Sequence, residues 1–173
     1  MRTVTFGVAS SLDNFIARAD HSVDWLHWSD DVAAITNEIW PTFDTVIMGR
    51  KTYEVAVANG VSAYPNVRNY VFSRTIPADP NQDVTFVCDD AATVVDRLKR
   101  EPGKGICVMG GGELANSLFA AGLIDEVGLN IHPIILGDGI PCFHQLPQAI
   151  ELDLVETRRL HGDCMLVRYK VRR

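Results

Sequence analysis

The stretch Cys107–Phe119 (CVMGGGELANSLF) decides how the rest of the chain is interpreted. The apolar run Ile106–Met109 meets three consecutive glycines, Gly110–Gly112, and an apolar pattern of helical period follows. Consecutive glycines are unfavourable in a regular element, so they indicate unusual dihedrals or a close approach of the main chain. A strand, a glycine turn and a helix N-terminus form a ready site for a phosphate, because unpaired N–H groups and the helix dipole point towards it. The same glycines also fit the pattern G-x-G-x-x-A, a dinucleotide fingerprint.

Composition indicates one globular domain spanning residues 1–173, with 47% hydrophobic and 22% charged residues. The net charge of −6 argues against non-specific nucleic-acid binding, since no basic stripe is available for phosphates. No apolar run approaches a membrane span and no secretory leader pattern opens the chain, so no membrane partner is expected. The five histidines are scattered, which gives a metal site little support. Most of the four cysteines lie in apolar runs, which predicts reduced thiols in a cytoplasmic protein.

Strand and helix patterns alternate through the first two thirds of the chain. Alternation of this kind predicts a largely parallel α/β sheet, and the C-terminal pattern predicts a closing antiparallel hairpin. The predicted strands are Thr3–Ala9, Phe15–Ala17, Asp44–Met48, Asn69–Ser73, Asp83–Cys88, Ile106–Met109 and Glu126–Ile135, with the hairpin at Leu152–Arg159 and Cys164–Val171. Pro133 interrupts the strand Glu126–Ile135, and Leu136–Pro141 is predicted to be a loop. The predicted helices are Ser29–Trp40, a helix that starts within Gly49–Thr52 and runs through Tyr53–Ala58, Ala91–Arg100 and Glu113–Ala121.

Three predicted strand ends carry groups that suit a nucleotide. Gly49–Thr52 offers a glycine, two cations and a hydroxyl, Ser73–Thr75 offers two hydroxyls and a guanidinium, and Gly110–Gly112 offers bare amides. In an open parallel sheet all three lie along the carboxyl edge, where ligands bind. A Rossmann dehydrogenase using NAD is a weaker interpretation, because its glycines normally follow the first strand. The basic site at Ser73–Thr75 suits a 2′-phosphate and therefore favours NADPH over NADH.

These motifs resemble a known family. Val46–Tyr53 (VIMGRKTY), Tyr70–Thr75 (YVFSRT) and Val108–Phe119 (VMGGGELANSLF) are similar to the three cofactor motifs of the dihydrofolate reductase-like fold. Ser11–Ala17 (SLDNFIA) and Asp125–Phe143 (DEVGLNIHPIILGDGIPCF) resemble one branch of that fold. The branch contains the C-terminal reductase domain of the bacterial bifunctional deaminase-reductase of riboflavin biosynthesis, together with small stand-alone proteins. The resemblance covers nearly the whole chain.

The resemblance implies a three-layer α/β fold that binds NADPH. Its sheet is expected to be twisted and mostly parallel, with about eight strands, helices on both faces and a C-terminal antiparallel hairpin. It also implies a cis peptide bond between Gly110 and Gly111. The cofactor-binding residues that it implies are Ala9, Ile16 and Ala17 at the nicotinamide end, Gly49, Arg50, Lys51 and Thr52 at the phosphates, Ser73, Arg74 and Thr75 at the 2′-phosphate, and Met109, Gly110, Gly111, Gly112, Glu113 and Leu114 at the diphosphate and nicotinamide.

The resemblance also suggests residues on the substrate side. Asp30 or Asp31 lies where the folate enzymes place the carboxylate that supports protonation, and a buried acid there would have a raised pKa. The alternative is that both acids only cap the helix that begins near Ser29. Asp13 either orients the substrate loop or makes a turn. The remaining candidate substrate residues are Trp25 and Asn130.

The chain departs from the riboflavin-pathway pattern in two places. Asn14 stands where that reductase usually has glycine, and the acidic segment Trp25–Pro41 lacks basic residues for a ribose 5-phosphate. The expected function is an NADPH-dependent reduction of a small heterocycle, resembling 5-amino-6-(5-phosphoribosylamino)uracil reductase and dihydrofolate reductase. The alternative is an NADPH-binding module or sensor without turnover. The apolar terminal strands within Leu152–Val171 favour a homodimer.

Overall fold

The computed structural model describes residues 1–173 and contains ten strands, four α-helices and two short 3₁₀ turns. The strands are β1 (Val4–Ser11), β2 (Phe15–Ala17), β3 (Phe43–Gly49), β4 (Arg68–Phe72), β5 (Val84–Val87), β6 (Gly105–Met109), β7 (Glu126–His132), β8 (Ile140–Pro141), β9 (Leu152–Arg159) and β10 (Met165–Val171). The helices are α1 (Asp30–Ile39), α2 (Arg50–Ala58), α3 (Ala91–Arg100) and α4 (Gly112–Ala120). None of these helices has the length and apolar character needed to span a membrane.

Eight of the strands form one sheet in the order β5-β4-β3-β6-β1-β7-β10-β9. The six strands from β5 to β7 in that order are parallel, and β10 is antiparallel to both of its neighbours. The predicted α/β fold, its eight-stranded mostly parallel sheet and its C-terminal hairpin are therefore confirmed. The Rossmann interpretation is wrong, because that fold has the order 3-2-1-4-5-6 and its glycines follow the first strand. Here the glycine turn follows β6.

The main core lies on the face of the sheet that α3 and α4 cover. It contains seventeen buried residues, among them Phe6 of β1, Ile47 of β3 and Leu118 of α4. Because each fully buried side chain of this size contributes roughly 1.5–3 kcal/mol, this face supplies most of the hydrophobic stabilisation.

The opposite face of the sheet is only partly covered. A five-residue cluster around Met48 packs beneath the α2 side, and a four-residue cluster joins Val32 of α1 to the β9–β10 hairpin. Val32 is the only buried residue of α1, and α2 has none. Helices therefore lie on both faces as predicted, but the middle strands of this face stay open and form the floor of a cleft.

Two segments differ from the sequence prediction. β7 ends at His132, at the interruption predicted for Pro133, but it does not resume as far as Ile135, because proline has no N–H to donate and is confined to strand ends. β8 (Ile140–Pro141) was expected to be loop, but it pairs with β2 as a separate two-stranded sheet. A two-residue strand has too short a pattern to be recognised from sequence.

Candidate active-site cleft

A cleft of about 2370 Å³ occupies the open face of the sheet. Its volume exceeds the roughly 300–1,000 Å³ of an ordinary small-molecule pocket, so it has room for a dinucleotide and a second molecule. Every residue that the resemblance assigned to the cofactor lines this cleft, from Ala9, Ile16 and Ala17 through the motifs at Gly49–Thr52 and Ser73–Thr75 to Met109–Leu114. The fold thus brings the three strand-end motifs together.

The glycine turn adopts left-handed backbone dihedrals and contains no cis peptide bond. Gly110 and Gly111 have φ values of 57° and 73°, a region that favours glycine. The expected cis bond between them is absent, since every peptide bond is trans. Gly111 is the N-cap of α4 and supplies no side-chain cap, so the first amides of α4 have no protein side chain as acceptor.

The N-terminus of α2 lies beside this turn. Its N-cap is Gly49, which again has no side chain to accept a hydrogen bond. A Cβ built on Gly110 would lie 3.1 Å from Thr52 Oγ1, and one built on Gly111 would lie 3.6 Å from the backbone nitrogen of Gly49. Two uncapped helix N-termini therefore adjoin in one cleft, which concentrates unpaired N–H donors and positive dipole ends where a diphosphate would lie.

The cations near these helix ends differ in how far they are already paired. Arg50 and Lys51 share the Glu54 carboxylate at 2.9 Å and 3.4 Å, and the hydrogen bond from Arg50 is the main cause that lowers the pKa of Glu54. Arg74 is exposed and takes part in no ion pair. The hydroxyl of Ser73 donates to the carbonyl of Thr75 at 2.7 Å, which holds the loop that carries Arg74. Arg74 is thus the uncommitted cation of the cleft.

The residues present at this end fit a phosphate-rich dinucleotide, and comparison with known proteins places the chain in a family. A family model described as the RibD C-terminal domain matches residues 2–166. The chain belongs to the RibD C-terminal domain family.

The chain also resembles two curated proteins over nearly their whole length. The RibD-type chain is 36% identical over 170 residues to the uncharacterized protein YwjB of Bacillus subtilis (strain 168), covering 97% of each chain. It is 31% identical over 180 residues to the uncharacterized protein YyaP of the same organism, covering 97% of this chain and 94% of the other.

Three solved structures share the fold. A Shewanella sp. PV-4 protein assigned to riboflavin biosynthesis superposes with a TM-score of 0.86 at 23% identity, with full coverage of both chains. A Thermotoga maritima diaminohydroxyphosphoribosylaminopyrimidine deaminase/5-amino-6-(5-phosphoribosylamino)uracil reductase gives a TM-score of 0.73 at 17% identity, covering 99% of this chain and 57% of the other. A pyrimidine reductase-like protein of Corynebacterium diphtheriae gives 0.72 at 15% identity, covering 99% of this chain and 92% of the other.

The two acids expected to support protonation do not reach the cleft of this RibD-type chain. Asp31 accepts hydrogen bonds from the Ser29 hydroxyl at 2.8 Å and from the His161 backbone N–H at 2.6 Å, and it pairs with His161 Nδ1 at 3.0 Å. These contacts, chiefly the His161 N–H, lower the pKa of Asp31 to about 2. The expected raised pKa is therefore wrong for Asp31. Asp30 is exposed in the first turn of α1, and neither acid lines the cleft. Both belong to the helix start, as the alternative interpretation held.

The carboxylate of Asp13 also has a structural role, because it accepts hydrogen bonds from two segments of the chain. It accepts from the Ser11 hydroxyl at 2.6 Å and from the backbone amides of Leu136 and Gly137 at 3.1 Å and 2.8 Å. The hydrogen bond from Ser11 is the largest cause of its lowered pKa. Asp13 therefore links the β1–β2 turn to the loop after β7, and it does not line the cleft.

The two remaining substrate candidates, Trp25 and Asn130, lie in different environments. Trp25 is 5% exposed and packs edge-on against His132 with the ring centroids 5.3 Å apart, so it does not line the cleft. His132 is 1% exposed, and burial followed by the neighbouring His27 lowers its pKa. It is thus a core histidine. Asn130 does line the cleft, and its side chain lies 3.3 Å from His132 Nε2.

The floor of the substrate half contains residues that sequence reasoning missed. They are Gly7 of β1, Glu126 and Gly128 of β7, and Arg168 of β10, all of which line the cleft. The two-residue period of TVTFGVA and EVGLN offered a signal, because the glycines fall at the positions that alternate with buried Phe6 and Val127. That alternation indicates a face, but it does not indicate which strands lie side by side.

Proposed function

We propose that this chain is an NADPH-dependent reductase of a small heterocyclic substrate. The observation that carries the proposal is the meeting of two uncapped helix N-termini, those of α2 and α4, beside the unpaired Arg74 in one cleft. Such an arrangement suits a diphosphate at the helix ends and a phosphate monoester on the guanidinium. Family membership and the reductase named among the structural neighbours support the same reaction class.

Each part of the cleft has a task in this proposal. The amides at Gly49 and Gly111 bind the diphosphate, and Ser73 and Arg74 hold the 2′-phosphate. Ala17, which is 8% exposed, and the neighbouring Ile16 and Ala9 form an apolar wall at the nicotinamide end and exclude water from it. When bound, the cofactor supplies a hydride, and the protein contributes orientation.

A binding module without turnover is the second candidate. It is favoured by the position of Asp30 and Asp31, because the two expected proton-supporting acids lie outside the cleft. Measuring NADPH oxidation with a panel of pterins, folates and pyrimidines separates the two candidates. Consumption of NADPH with any of them supports the reductase, whereas tight NADPH binding with no turnover on the whole panel supports the module.

The cofactor assignment is tested with Arg74→Ala. Removing one charged phosphate contact is expected to weaken NADPH binding by about tenfold or more and to leave NADH binding nearly unchanged. The measurement is a fluorescence titration with each nucleotide. Arg97→Ala is the matched control, since Arg97 is another exposed arginine without an ion pair but lies on α3, away from the cleft. Equal NADPH affinities for Arg74→Ala and the unaltered protein would refute the assignment.

A further inference from the structure

A strip without side chains crosses the middle of the cleft floor. Gly7 of β1 and Gly128 of β7 are register partners on adjacent strands, and both line the cleft. Neither glycine has a positive φ, so the backbone conformation does not require it. A Cβ on Gly7 would meet only Cys107 Sγ at 3.8 Å, and a Cβ on Gly128 would meet only Arg168 Cγ at 4.0 Å. Packing therefore does not require glycine either.

Glycine in a strand interior is unfavourable, and it often marks a place where a ligand approaches the backbone closely. With backbone strain and packing removed as reasons, close approach is the reason that remains for this pair. A flat ring can lie directly on the exposed peptide planes of the strip, whereas side chains there would hold it away.

The residues on either side of the strip show that it adjoins the proposed nicotinamide end of the cleft. The neighbouring register pairs are Ala9 with Asn130 on one side and Thr5 with Glu126 on the other. At about 3.3 Å per residue, the Thr5 pair lies roughly 13 Å along the strands from Ala9. A molecule on the strip thus has one end near Ala9, where reduction would occur, and the other near Glu126.

Glu126 presents a carboxylate with free acceptor capacity to this end. Its side chain is 21% exposed, and its ion-pair partner is Arg168 at 3.6 Å, which is longer than a hydrogen bond. A carboxylate accepts two parallel N–H donors, such as an amino group beside a ring N–H. Glu126 is therefore suited to bind the donor edge of a heterocycle.

A phosphate group has no comparable partner in this half of the cleft. Arg168 is the only lysine or arginine that lines the cleft on the strip side, and Glu126 and Glu156 already flank it at 3.6 Å and 3.1 Å. α1 and the segment before it line the cleft with mainly apolar side chains, including Val32, Ile35 and Trp28, the last of which is 74% exposed, and with the uncharged polar residues Thr36 and Asn37.

We propose that the Gly7–Gly128 strip is the substrate subsite and that it takes a flat, unphosphorylated heterocycle whose N–H edge contacts Glu126. The inference rests on the proposed reductase function and adds the substrate class to it. Gly7 and Gly128 determine the thickness that the subsite admits, and Glu126 determines the polarity of the edge.

The experiment titrates the protein, with and without saturating NADP⁺, with pterin and 5-aminouracil as flat probes and with ribose 5-phosphate as the phosphorylated probe. Gly128→Val and Gly7→Val fill the strip, and valine suits a strand. Each variant is expected to weaken flat-probe binding at least about tenfold while its NADPH affinity stays within about twofold. Circular dichroism checks the fold, and Gly128→Ala replaces the valine variant if that variant does not fold.

Glu126→Gln and Glu156→Gln form a matched pair, because both acids pair with Arg168 but only Glu126 lines the cleft. Glu126→Gln is expected to weaken flat-probe binding about tenfold, and Glu156→Gln less than twofold. Failure of both flat probes to bind the unaltered protein, binding that the glycine variants leave intact, or tight binding of ribose 5-phosphate would each overturn the inference. Failure of the reductase proposal would appear separately, in the NADPH titration.

Discussion

Asp31 shows how one hydrogen-bonded carboxylate ties a helix start to a distant turn. Its contacts with Ser29 and His161 join the beginning of α1 to the turn between β9 and β10. The sequence placed Asp31 in the first turn of a helix, but it gave no sign of His161, which is 130 residues away. A local pattern thus predicted the cap, and only the tertiary fold revealed the partner that sets the pKa.

Replacing Asp31 with asparagine is expected to change the acid branch of the stability profile. The folded-state pKa of Asp31 is about 2, below its ordinary value of 3.8, so the native state binds fewer protons than the unfolded state in this window. The stabilisation is present above about pH 4 and disappears as the pH falls towards 2. Urea unfolding at several pH values should therefore show Asp31→Asn less stable than the unaltered protein at pH 7, with the difference closing near pH 2.

Asp30→Asn is the control for this measurement, since Asp30 is exposed on the same turn and the hydrogen bond to His161 belongs to Asp31. An acid branch that is the same for Asp31→Asn and the unaltered protein would contradict the role assigned to Asp31.

The backbone conformation of Asn14 explains why asparagine can replace the glycine of the riboflavin-pathway pattern. It has a φ of 66°, in the left-handed region that glycine adopts freely and asparagine tolerates better than most residues. Its carbonyl accepts the N–H of Cys142 at 2.7 Å, which joins the β1–β2 turn to the end of β8. Asparagine therefore keeps the turn that glycine would make, and this substitution says nothing about the substrate.

At the scale of elements, the helices and long strands follow closely from sequence. α3 has the predicted bounds of Ala91–Arg100, because Asp90 accepts from the Thr93 N–H and basic residues occupy the last turn. The start of α2 at Arg50 falls within the predicted start at Gly49–Thr52, although its N-cap is a glycine without a capping side chain. A capping side chain fixes a helix start to one residue, whereas a helix end left open for a ligand is predicted only to within a few residues.

The start of α4 packs closely against the end of β8 and the loop that follows it. A Cβ on Gly112 would lie 2.6 Å from the Pro141 carbonyl oxygen and 2.7 Å from His144 Nε2. Because the first of these atoms belongs to the backbone of β8, Gly112→Ala is expected to displace the end of β8 and to lower the free energy of unfolding by about 1–3 kcal/mol. NADPH binding should weaken as well, since the start of α4 shifts.

Chemical unfolding and an NADPH titration check this prediction, with Gly7→Ala as the matched glycine substitution. A Cβ on Gly7 meets only Cys107 Sγ at 3.8 Å, so its free energy of unfolding should change by less than about 0.5 kcal/mol. Equal stabilities for the two variants would show that the start of α4 tolerates a side chain.

At the scale of the whole molecule, the two halves of the cleft differ in how far they can be predicted from the sequence. The cofactor half consists of contiguous motifs at strand ends, such as Gly49–Thr52, and a parallel sheet aligns such ends without further information. The substrate half depends on which residues of β1, β7 and β10 lie side by side, for example Gly7 with Gly128 and Gly128 with Arg168. That register depends on non-local pairing, which a single sequence does not specify.

The exposed edge strand β9 is relevant to oligomeric state. We propose that the protein is a homodimer. β9 forms the edge of the sheet, and Leu152, Leu154 and Val155 are exposed along it. Pairing with a second copy would cover these apolar side chains. Light scattering is expected to give a dimer for the unaltered protein and a monomer for Leu154→Lys, whereas Leu12→Lys, at an equally exposed loop leucine, should stay dimeric. A monomeric unaltered protein would remove the proposal.

The bare strip on the cleft floor also bears on how such proteins diverge. Codons for glycine become codons for alanine or valine through one nucleotide change, and both Gly7 and Gly128 have room for a Cβ. The main core lies on the other face of the sheet, so such a change would leave the fold intact. A descendant could therefore exchange one substrate for another in a single step, with the cofactor motifs and the stability inherited unchanged.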